Sequence, residues 1–199
     1  MYFDKKKKNA LRTDKSKKGY IDEGIRGVVD LINSFDNMFT TSSCAGRVSV
    51  IKKISGKKDL KFLFCSHNKI KDISDIKNNL TEYTDGESVW LLFQPLILHV
   101  CCRNISDASW LISCTKEAGY KRAGIISFKN TIIVEIMGTD YIEHLLYDDN
   151  GVYYTYPCLE RLLYYVNKKF DSNLERISKL IDILNNSNQN EGEKSINYA

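Results

Sequence analysis

Thr40-Thr41-Ser42-Ser43-Cys44-Ala45-Gly46-Arg47 separates a helical pattern from a run of strand patterns. Upstream, Ile21, Ile25, Val28, Val29 and Ile32 recur at helical spacing, which predicts one amphipathic helix running to about Phe35. Asp22 and Glu23 fall in its first turn, where carboxylates complement the helix dipole. Downstream, Val48 to Ile54 reads as a strand. The eight residues between supply hydroxyls, a thiol, a glycine and a planar cation suited to a carboxylate or phosphate. On composition alone they are a serine-rich loop, a capped turn feeding a strand.

Outward from that point the pattern stays strand-rich. Leu60 to His67 reads as a strand, then Ile73, Ile76 and Leu80 mark a short helix. Strands recur at Val89 to Phe93 and Leu96 to Arg103, with Pro95 at the junction, where it need not donate a ladder hydrogen bond. A helix from an Ser106 N-cap to Gly119 follows. Ala123 to Phe128 and Thr131 to Met137 bracket a tight turn at Lys129-Asn130. Weaker strands at Tyr141 to Tyr147 and Val152 to Tyr156 flank the turn at 148–151. Pro157 opens a long helix to about Asn185, and residues 186–199 are polar enough to be expected disordered. Strands in pairs separated by helices predict an α+β, two-layer fold, a mixed and largely antiparallel sheet covered by helices. The two strand-helix passages are compatible with an internal duplication.

Length and composition bound the rest. The 199 residues, 43% hydrophobic and 27% charged, are enough for one filled core, expected over 19–185 as a single domain. No apolar run approaches the roughly 20 residues of a membrane span. The N-terminus has no apolar signal region, and the six cysteines include no C-x-x-C pair. A reducing, cytoplasmic setting is the expectation. Residues 1–18 hold eight basic side chains against two acidic ones, while the remainder carries 21 basic and 23 acidic. The positive excess is therefore a basic N-terminal arm, a pattern suited to nucleic-acid backbones or to a merely solvated tail.

Enzyme signatures are mostly excluded. There is no G-x-G-x-x-G after a strand and no P-loop. Ser43 is not in a G-x-S-x-G elbow, and the three histidines, His67, His99 and His144, are too scattered for a zinc site.

The segments Asp14-Lys15-Ser16-Lys17-Lys18-Gly19-Tyr20-Ile21-Asp22-Glu23, Phe39 to Arg47, Phe64-Cys65-Ser66-His67, Phe93 to Val100 and Ala118 to Ile125 occur in an order and spacing that carry a resemblance. Together with Asn167-Lys168-Lys169 in the last helix, they resemble the tRNA wybutosine-synthesizing protein 3 family over roughly residues 3–180. The resemblance implies an S-adenosyl-L-methionine-dependent N-methyltransferase, in a fold that is not Rossmann-like. Its substrate would be the tricyclic guanosine derivative 3′ to the anticodon of tRNA(Phe), methylated at N4 once it bears an aminocarboxypropyl chain. Three positions depart from the family pattern: Phe62 stands where a tryptophan is usual, Gln94-Pro95 replaces Glu-Pro, and His144-Leu145-Leu146 replaces a proline-containing stretch.

On that reading Ser42, Ser43, Cys44, Gly46 and Arg47 hold the cofactor. Arg47 equally suits the tRNA substrate, with Phe62 or Trp90 as a platform for the base and Lys15, Lys17 and Lys18 for the RNA backbone. Asp22, His99 or His67 would accept the proton. The competing class is a non-catalytic RNA-binding or scaffold protein of the same fold.

Overall fold

The computed structural model describes residues 2–12, 21–54, 60–78, 80, 86–128 and 131–196. By Cα proximity the chain groups into two compact units. The first comprises residues 1–45, 96–139 and 174–199, and the second residues 46–95 and 140–173. Each is built on its own sheet, so the sheet expected from the strand count is two sheets, of four and five strands. All described strand pairings are antiparallel.

The first unit contains α1 (Tyr2–Arg12), α2 (Glu23–Ser34), β1 (Met38–Cys44), β5 (Ile97–Cys102), α4 (Ile105–Glu117), β6 (Arg122–Ser127) and β7 (Ile132–Met137). Its sheet runs β1-β5-β7-β6. Alternation puts Leu98, Val100, Cys102, Val134 and Ile136 on one face, buried with Ile25, Val28 and Ile32 of α2 and Leu111 of α4. Ile177, Leu180 and Leu184, from the later part of α5 (Tyr156–Ile196), complete this core. On the opposite face, Phe3 of α1 packs with Phe39 and Cys101, its ring 5.3 Å from that of Phe39 in an edge-on arrangement.

The second unit contains β2 (Arg47–Ile54), β3 (Leu60–Ser66), α3 (Ser74–Lys77), β4 (Glu87–Gln94), β8 (Ile142–Asp148), β9 (Gly151–Val152) and the first part of α5. Strand order is β3-β2-β4-β8-β9. Val48, Val50, Val89, Leu91 and Phe93 are buried on one face, and Phe93 meets Phe170 of α5 at 5.9 Å.

Four expectations need correction. Thr40 to Cys44 is not a loop but most of β1, because its backbone groups complete a ladder with β5 from Met38↔Cys102 to Cys44↔Ile97. Only Ala45 and Gly46 connect it to β2. Gly46 has φ +112°, and a Cβ there would lie 2.9 Å from the Gln94 carbonyl oxygen. The cap of α4 is Asn104 rather than Ser106. Its side chain accepts from Asp107 N–H at 2.9 Å while Asn104 N–H donates to Asp107 Oδ2 at 3.2 Å, a reciprocal capping box. The weak strand at Val152 to Tyr156 shortens to Gly151–Val152, with Tyr156 already helical. Finally, α5 does not stop at Asn185 but continues to Ile196. Asn, Gln, Glu and Lys are tolerable helix residues, and an established helix extends far more easily than a new one nucleates.

Part of the expected basic arm is likewise built into the fold. Residues 2–12 form α1, tied to the first unit by Phe3, by Lys6 Nζ on Thr131 Oγ1 at 2.9 Å and by Lys7 Nζ on the Phe35 carbonyl. Lys15, Lys17 and Lys18 lie outside the described residues, as do the turns at 57–59 and 129–130.

Candidate active site

In the first unit the candidate residues converge on the outer face of the four-stranded sheet. The register aligns Ser42 of β1, His99 of β5, Glu135 of β7 and Gly124 of β6 in one cross-strand row. Residues paired across a ladder share a face. Cys44 pairs with Ile97 at the end of β1, and its Sγ lies within 4.8 Å of an Asp22 carboxylate oxygen. Ser43 pairs with buried Leu98 and belongs to the inner side. The expected set is thereby split: Ser42 accompanies His99, Cys44 stands beside Asp22, and Ser43 joins neither.

His99 Nε2 lies 2.8 Å from Glu135 Oε2, both side chains being a little under one-third exposed. An ionised glutamate only accepts hydrogen bonds, so Nε2 is the donor of this pair. Thr41 Oγ1 donates to the His99 carbonyl at 3.3 Å, fixing the strand on that side. Glu135 escaped the sequence reading. The signal was present, since it is the one acid inside Ile132-Ile133-Val134-Glu135-Ile136-Met137, at an alternating position of an otherwise apolar strand.

Asp22 stands beside Cys44. It sits immediately before α2, buried at 9% exposure, and its Oδ2 accepts from Ala45 N–H at 3.4 Å. It makes no side-chain cap on its own helix. Its carboxylate is thus directed at the end of β1 and holds the backbone where that strand stops.

In the second unit Gly46, Arg47 and Phe62 are brought together. Arg47 Nε donates to Gln94 Oε1 at 2.6 Å, and its guanidinium carbon lies 5.2 Å from the Phe62 ring centroid. Among the described residues its Nη groups have no hydrogen-bond partner. Ile51 pairs with Phe62 on one side and Trp90 on the other, which lines up both aromatic candidates on the sheet face opposite Phe170. Phe62 is 46% exposed. Lys53 Nζ stands 4.3 Å over the Trp90 ring and pairs with Glu143 at 3.0 Å. Ser49, two residues along from Arg47 on that face, has a fully buried hydroxyl with no partner among the described residues. Gln94 was visible in the sequence only as a departure from the family pattern; its role as the clamp on Arg47 comes from the register Arg47↔Gln94.

His67 follows β3 directly and is half-buried; it belongs to the second unit. Among the described residues, no helix is long and apolar enough to cross a membrane.

Comparison with known proteins covers nearly the whole chain. The model of the family described as Methyltransferase TYW3 matches residues 4–186. The tRNA wybutosine-synthesizing protein 3 homolog of Xenopus laevis is 35% identical over 194 residues, spanning 94% of this chain and 75% of that one. A Pyrococcus furiosus relative, named as tRNA(Phe) 7-((3-amino-3-carboxypropyl)-4-demethylwyosine(37)-N(4))-methyltransferase 1, is 31% identical over 92% of this chain and 96% of its own. Among solved structures, the PH1069 protein of Pyrococcus horikoshii superimposes with a TM-score of 0.80 at 29% identity, over 92% of this chain and 95% of that one. A match that runs from α1 into α5, through every strand carrying the candidate residues, makes this chain a member of the TYW3 methyltransferase family.

Proposed function

We propose that this protein methylates N4 of the aminocarboxypropyl-demethylwyosine precursor in tRNA(Phe), using S-adenosyl-L-methionine, in the cytoplasm. The observation that carries the reading is the end-to-end match to a relative whose name states that reaction. The donor set fits the cofactor, which carries an amino-acid end. Arg47 presents Nη groups uncommitted among the described residues, and a buried Ser49 hydroxyl lacks a partner on the same face.

S-adenosyl-L-methionine, when bound, supplies a sulfonium methyl that a nitrogen lone pair displaces, the carbon–sulfur pair leaving on sulfur. The chain's part is to orient, to desolvate and to take the proton. Arg47 receives a carboxylate, that of the methionine end or of the substrate's own aminocarboxypropyl chain. Gln94 and Phe62 hold the guanidinium in place from its edge and its face. Phe62 and Trp90 supply π-surface for an unstacked base. Ser42 lies in the row that carries His99, Cys44 stands beside Asp22, and His99 Nδ1 accepts the proton. Asp22 positions the Ala45 backbone.

Mass spectrometry of tRNA(Phe) from cells lacking the protein tests this. The expected result is an intermediate one methyl short of the wild-type product. Unchanged tRNA, together with no S-adenosyl-L-methionine binding at millimolar concentration by calorimetry, favours the scaffold alternative.

A further inference from the structure

The row Ser42, His99, Glu135, Gly124 has a polar group at three positions and no side chain at the fourth. The outer sheet face at this row is open where the next row is not. Phe39, Cys101 and Ile133 are covered by Phe3 and Ala10 of α1, whereas His99 and Glu135 keep 27% and 30% of their side-chain surface. At Gly124 a Cβ would meet nothing within 4 Å. Gly124 lies on the edge strand β6 and is not among the glycines held at positive φ.

We propose that Glu135 is the positioning residue for His99. This rests on the methyl-transfer reading above. With Glu135 holding Nε2–H at 2.8 Å, the ring is fixed in one tautomer and its Nδ1 lone pair is presented for the transfer. As the ring nitrogen of the base takes up the methyl, its own N–H pair collapses onto nitrogen and the proton passes to Nδ1. The imidazolium so formed is charge-balanced by the Glu135 carboxylate, the arrangement by which a buried carboxylate serves a histidine base elsewhere. The other charged groups brought to this face are Arg122, one row away on β6, and Lys6 of α1, which is engaged with Thr131. Neither opposes Glu135.

A set of variants assayed by single-turnover methyl transfer, with the modified tRNA and S-adenosyl-L-methionine, decides the matter. E135A is expected to lose about 10- to 1,000-fold in rate, a share of the 10²–10⁴ that a general base is worth, with donor affinity unchanged. E135Q, whose amide oxygen still accepts from Nε2–H, falls between E135A and wild type. H99A/E135A should be no slower than H99A, since residues acting as one unit are not additive. A full further loss in the double variant overturns the assignment, as does an E135A enzyme at wild-type rate. ¹⁵N NMR of the histidine rings is the second readout: Nε2–H alone in wild type, a tautomer mixture in E135A. A mixture in the wild type overturns the pairing even if E135A itself fails to fold. A wild-type protein with no turnover on this tRNA, its His99 still a single tautomer, overturns the functional reading instead.

Discussion

Arg47 shows what one side chain gains from its two neighbours. Gln94 takes Nε at 2.6 Å and the Phe62 ring backs the planar face, so the fork is preset and only the Nη groups are left to meet a ligand. R47A is expected to lower methyl transfer at least about 100-fold, the scale of a lost charge-assisted, oriented contact, with unchanged far-UV circular dichroism. R47K should recover little, because an ammonium cannot lie flat on Phe62 while bonding Gln94 at its edge. Steady-state kinetics of the pair checks both. Arg47 stood out from its residue type and its place after Gly46. Its partners did not, because a cross-strand neighbour 47 positions away is invisible until the register is known. His99 repeats the lesson. A lone histidine in Leu96-Ile97-Leu98-His99-Val100 reads as structural by default, and its Glu135 partner, 36 positions away, is visible only in the register.

At the scale of the element, α4 and α1 are held in different ways. α4 is pinned by its own sequence through the Asn104–Asp107 box, so N104A should destabilise the protein by about 1 kcal/mol in urea melts. The S106A change should be near neutral. The sequence reading missed this because serine is a good cap by type, while the deciding feature is the reciprocal bond from the residue three positions on. α1 depends on tertiary partners instead. Arg103 lies over the Phe3 ring and its guanidinium bonds Asp4 at 2.6 Å, which holds the Asp4 carboxyl well below the usual aspartate range. A folded value below the unfolded one means the contribution is complete above about pH 4, the ordinary aspartate range, and is lost as pH falls through the folded value. Docking of α1 should therefore weaken on acidification below about pH 4, seen as faster amide exchange in residues 2–12 before the sheets exchange. R103A should exchange fast in α1 at all pH values. The helix periodicity of α2 and the strand patterns of β4, β5 and β7 were readable because each buries alternating residues on one face. The β1 strand was not, since hydroxyl-rich Thr40 to Cys44 looks like a loop until a partner strand is supplied.

For the whole molecule, charge asymmetry gives the expected behaviour toward RNA. The domain beyond residue 18 carries 21 basic and 23 acidic groups, so long-range attraction to a polyanion has to come from residues 1–18. Deleting them should weaken tRNA binding and reduce the slope of log K against log salt by several units, measured by filter binding between low and physiological salt. An unchanged slope would make these lysines bystanders. The deletion also removes Phe3, so F3A in the full-length chain is the control that separates lost charge from lost packing.

The four passages of the chain between its two units, at residues 45, 95, 139 and 173, bear on how it is made. Synthesis runs from the N-terminus, and domains tend to fold as their last segment emerges. The second unit has all its strands by Val152 and all its residues by Asn173. The first unit begins earliest yet finishes last, because Ile177, Leu180 and Leu184 are part of its core. Until they leave the ribosome, the faces of α2 and of β5 and β7 that they cover stay incomplete. The segment translated first is the one that must wait longest for its final contacts, and a chain stopped near residue 175 would strand that core rather than release a working half.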